Sequence, residues 1–110
     1  ECDCGGCCAM CENFTECKEM LMHVISVYSQ ASEILATADM VLAEKAFEEA
    51  AATPIEHPKW EKKVEKCLEC SEMSLNEGIL CIGDEDWLMA VNKFREAWRC
   101  AQKAMFWAIK

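Results

Sequence analysis

The spacing of apolar positions predicts a chain that is almost wholly helical. From about Asn13 to Leu35, the residues Phe14, Cys17, Leu21, Val24, Tyr28, Ala31 and Leu35 step by three and four. Steps of that size bring side chains onto one face of a helix. A second segment, about Asp39 to Ala52, carries Met40, Ala43, Phe47 and Ala50, and Thr53-Pro54 stops it. A third, about Lys59 to Ile82, starts beyond Pro58 and carries Trp60, Val64, Cys67 or Leu68, Leu75 and Ile79. A fourth begins after Gly83 with Trp87, Val91, Phe94, Trp98, Ala101, Met105 and Ala108, an alternation held over three heptads. Such a series is the seam of a packed helix.

Punctuation between segments is uneven. Gly83 allows a left-handed turn that would close the third helix. Asp84, Glu85 and Asp86 can cap the amides of the next helix and oppose the positive end of its dipole. Thr37-Ala38-Asp39 stands at the corresponding place between the first two segments, with weaker signals. The chain also repeats. Ile34 to Asp39 aligns with Ile79 to Asp84 and, after two inserted residues, Met40, Ala43, Phe47 and Ala50 align with Trp87, Ala90, Phe94 and Ala97. The spacing of Gly78, Trp87, Ala90, Phe94 and Ala97 is similar to that of a tetratricopeptide unit, where small residues let helices approach closely. The period and the copy number depart from that family, so generic hairpin packing is the expected meaning. The fold expected is all-α: an antiparallel four-helix bundle built from two repeated helical hairpins, residues 13–52 and 59–110. Residues 1–12, with Gly5-Gly6 and dense cysteines, are expected to form a disulfide-rich cap, the whole making a single domain of 110 residues.

Cysteine changes the picture most. Cys2, Cys4, Cys7, Cys8, Cys11 and Cys17 fall in the first seventeen residues, and Cys67, Cys70, Cys81 and Cys100 follow in helical sequence. An even count of ten in so short a chain points to a disulfide framework, five bridges in all, and a secreted, extracellular protein. The opening Glu1-Cys2 fits a chain from which a leader has been removed. Asn13-Phe14-Thr15 is a glycosylation sequon, short enough to arise by chance. Across a hairpin turning near Gly83 and Asp84, facing residues have numbers that sum to about 168. Cys100 therefore faces Cys67 and Cys70, and one of those two is its expected partner. The other is within reach of the N-terminal cluster. Cys81 lies at the opposite end of the third segment, about 30 Å from the start of the first. It needs a nearly extended strap across the bundle, a second chain, or no partner; the strap is the expected solution.

Charge narrows the partners. The net charge is −9, yet residues 1–86 carry −13 and residues 87–110 carry +4. An acidic whole argues against nucleic acid. Candidate chemistry is thin. Cys2-x-Cys4-x2-Cys7-Cys8-x2-Cys11 has spacings that also chelate soft metals, but the extracellular reading favours bridges. Cys67-Leu68-Glu69-Cys70 lacks the positive surroundings of a redox pair, since Glu65, Glu69 and Glu72 flank it. The paired Cys7-Cys8 resembles the secreted phospholipase signature, but Ala9 to Glu12 hold no His-Asp pair. His23 and His57 have no recognisable nucleophile or orienting acid beside them. No enzyme, no cofactor and no resident metal is expected.

The fourth segment holds the candidate binding residues. Arg99, Lys103 and Phe106 lie four and three apart on one helix side, Trp107 joins from Lys103, and Lys110 extends the edge by a turn. Aromatic residues beside cations make up protein interface cores and membrane-contacting ends. The plainer reading is that the N-terminal strap covers them. The function expected is a secreted, non-catalytic recognition protein: a pheromone-like signal, a venom component or another ligand of a cell-surface receptor or channel. A homodimer and membrane contact through the fourth helix are compatible with it. The alternative is a carrier of a hydrophobic small molecule between the helices, seven methionines being apt to line an apolar pocket. A soft-metal-binding protein stands third.

Overall fold

The structure, a computed structural model, describes residues 14–110, with side chains from Glu16 onward. The expected cap at 1–12, the sequon residue Asn13 and Cys2, Cys4, Cys7, Cys8 and Cys11 lie outside the described residues. Among the described residues there are three α-helices and no strand. Helix α1 runs Phe14–Ala52, a 3-10 turn spans Pro58–Trp60, α2 runs Glu61–Gly83 and α3 runs Trp87–Ala108. Contacts divide the described residues into two units, one ending at Ala31 and the other Ser32–Lys110.

The all-helical expectation holds, and the four-helix bundle of two repeated hairpins does not. The first expected hairpin is one helix of 39 residues. Its sequence has neither glycine nor proline between Phe14 and Ala52, so nothing forces the backbone out of the helix. Thr37 even contributes to it, its hydroxyl donating to the Glu33 carbonyl one turn back at 2.8 Å. The aligned second copy differs where it matters. Gly83 stands where the first copy has Ala38, and the inserted acidic loop follows it. In the first unit Leu21, Val24 and Tyr28 are exposed, as are Met22, Ile25 and Val27.

In the second unit, the inner face of α1 matches the spacing read from its second half. Ala36, Ala43, Ala46 and Ala50 are buried, with Met40 and Phe47 half-buried. Two apolar clusters join these residues to the hairpin of α2 and α3. One gathers Ala36, Ala43, Leu75, Ala90, Val91, Phe94 and Ala97. The other gathers Ala46, Ala50, Val64, Ala101, Ala104 and Ala108. Alanine dominates both, so the helices approach closely and each side chain buries little area. Phe94 is the largest fully buried side chain.

That ring has room because α2 supplies Gly78. A Cβ at Gly78 would sit 2.5 Å from Cε1 of Phe94, closer than carbon atoms approach. Ser71, also fully buried, donates from its hydroxyl to the Ala97 carbonyl at 2.8 Å and ties α2 to α3. Near the surface Lys93 meets Glu77 at 2.7 Å, and this hydrogen bond and charge raise the Lys93 pKa above the usual lysine value. The turn differs from expectation in one detail. Gly83 ends α2 in helical form, and the positive φ of 58° falls on Glu85. Asp86 caps α3 as the sequence suggests, accepting from the Met89 amide at 3.3 Å.

Cys70 and Cys100 form the disulfide anticipated between the hairpin helices, with Cα atoms 6.0 Å apart. Cys17 is also disulfide-bonded. The expectation of five bridges is corrected by Cys67 and Cys81, which are free thiols. Both are half-buried in apolar surroundings. Cys67 packs on the Val64–Ala101 cluster, and Cys81 packs on the Phe94 cluster.

Candidate functional site

The helix hairpin brings the start of α2 beside the end of α3, and aromatic residues meet there. Pro58 opens the 3-10 turn, where its missing amide hydrogen costs nothing. The Trp60 amide donates to the His57 carbonyl at 3.1 Å, and the Glu56 amide donates to the Ala108 carbonyl at 2.8 Å. The second of these bonds ties the connection from α1 to the last turn of α3. Trp60 then lies against Trp107, ring centroids 4.7 Å apart and planes tilted by 37°. Phe106 meets Trp107 edge-on at 5.2 Å.

Three lysines surround the rings. Lys63 Nζ is 4.0 Å from the Trp107 centroid. Lys110 Nζ is 5.0 Å from Phe106 and 5.1 Å from Trp107, and Lys59 Nζ is 5.1 Å from Trp60. Cations over aromatic faces within about 6 Å are attracted by the ring quadrupole, by about 0.5–1 kcal/mol at exposed sites. The end of α3 also carries the negative pole of the helix dipole, which favours Lys110 there. All three lysines are exposed, and none is ion-paired with an acidic side chain among the described residues.

The residues singled out in the sequence separate into groups. Phe106, Trp107 and Lys110 are in the cluster. Phe106 is 54% exposed, whereas Trp107 is half-buried and packs on the Val64–Ala101 core. Lys103 is exposed one turn before Phe106. Arg99 lies in a groove with Asp39, Leu42, Phe94, Arg95 and Trp98. Lys59, Trp60 and Lys63 were missed by a reading confined to the fourth segment. The facing rule that paired Cys100 with the Cys67/Cys70 region also places Trp107 opposite residue 61, so the signal was present.

Among the described residues no three His, Cys, Asp or Glu side chains converge as metal ligands, and no helix is long and apolar enough to cross a membrane. In comparisons with known proteins, no family model, curated protein or solved structure matches the chain significantly.

Proposed function

We propose that this chain is a secreted, non-catalytic recognition protein that grips an acidic protein surface with the Trp60–Phe106–Trp107 end. The observation that carries this reading is the set of three unpaired lysines held over three aromatic rings on a chain of net charge −9. A chain so acidic gains nothing for its own solubility from a concentrated basic end. Aromatic residues with cations at their edge are the composition of an interface centre. The rigid hairpin below, joined by the Cys70–Cys100 bridge, holds the rings in place before binding and lowers the ordering cost. A signal, a venom component or another ligand of a receptor or channel would use such a surface. The cysteine content supports secretion.

The test is a fluorescence titration with a synthetic peptide of glutamate and aromatic residues, at rising salt. Saturable binding that weakens as salt rises, and that is lost in K59E/K63E/K110E while helicity is kept, is the expected result. Equal binding by the triple variant refutes the reading. Native mass spectrometry of protein purified without detergent adds a second check, because a lipid bound at full occupancy would favour the carrier instead.

A further inference from the structure

A groove between α3 and the second half of α1 has the make-up of a small-molecule site, and it is separate from the aromatic end. Its cavity is about 310 Å³, lined by Asp39, Leu42, Phe94, Arg95, Trp98 and Arg99. The lining follows from helix spacing. Phe94 and Trp98 are one turn apart on α3, as are Arg95 and Arg99, and Asp39 and Leu42 face them from α1. Fully buried Phe94 forms the base. Leu42 and Trp98 are both large and apolar, and 59% and 46% exposed. Trp98 belongs to the heptad series expected to be inside, so its exposure leaves an aromatic face open along the groove.

The charges then select the ligand. Arg95 Nε lies 3.6 Å from Asp39 Oδ2, and that oxygen is buried with no hydrogen-bond donor. Arg95 is thus committed to neutralising Asp39. Arg99, exposed and without an ion-pair partner among the described residues, leaves the groove with a net positive charge. We infer that this groove binds an organic anion with an apolar tail, its head group on Arg99 and its tail between Leu42 and Trp98 over Phe94. The volume is at the lower end of the ~300–1,000 Å³ of small-ligand pockets. It suits a medium-chain carboxylate rather than a long-chain lipid.

The experiment is an NMR titration of the full chain with decanoate and, separately, with decanol, following the Trp98 indole N–H. Saturable shifts at Trp98 with decanoate, tighter than with decanol, are expected. R99Q should weaken decanoate binding about fivefold, the effect of one exposed ion pair, and leave decanol unchanged. Trp98→Ala should weaken both. Shifts spread over Leu21 to Tyr28 instead of the groove, no saturation, or an R99Q variant that binds decanoate like the parent would each overturn the inference.

Discussion

At the scale of single residues, Gly78 and Glu85 show where this fold is least tolerant and least optimised. Gly78→Ala would drive a methyl into the Phe94 ring, which is fully buried in the cluster of Ala36, Ala43, Leu75, Ala90, Val91 and Ala97. A loss of about 1–3 kcal/mol is expected from overpacking, read from chemical denaturation. Gly83→Ala is the control, because a Cβ there meets nothing within 4 Å. Glu85 carries the turn's positive φ, a conformation that suits glycine better than any residue with a Cβ. Glu85→Gly should therefore stabilise the chain by up to about 1 kcal/mol. An unchanged or lower denaturation midpoint would show that Glu85 makes a compensating contact.

Elements of the second unit are held by the Cys70–Cys100 bridge and by close packing of small residues. The bridge closes a loop with sequence separation 30, and the chain-entropy relation gives it roughly 3–4 kcal/mol of stabilisation. Alkylation without reductant, followed by peptide mapping, should label Cys67 and Cys81 and spare Cys70 and Cys100. Label on Cys70 or Cys100, or protection of Cys67 and Cys81, would contradict the assignment. The α2–α3 hairpin was legible in the sequence because its signals are local and agree. Proline precedes α2, an acidic cap starts α3, and the apolar spacing runs unbroken to Ala108. The same rules failed on α1 for a physical reason. The internal repeat suggested a turn at Thr37 to Asp39, yet alanine there has no tendency to leave a helix, and a repeat in apolar positions does not carry over a missing glycine. Periodicity also marks which residues share a face without saying whether anything covers it. Leu21, Val24, Tyr28 and Trp98 keep the spacing of a seam and are exposed.

For the molecule as a whole, the uneven charge acquires a location. Of the positive charges read in residues 87–110, Lys110 is joined by Lys59 and Lys63 from the start of α2 over the aromatic rings, whereas Lys93 and Arg95 pair with Glu77 and Asp39. The two aromatic residues first read as a pair have different duties. Trp107 leans on Trp60 and the core, so Trp107→Ala should cost about 2–4 kcal/mol of stability. Phe106 is about half exposed, with an edge-on contact to Trp107 and Lys110 over its ring. The most direct measurement is therefore Phe106→Ala, assayed in parallel for thermal midpoint and for affinity toward the acidic aromatic peptide. The account predicts a midpoint within about 2 °C of the parent and an affinity lower by about tenfold, as for an exposed interface anchor. A midpoint that falls as far as in Trp107→Ala, or an affinity that does not change, would contradict it.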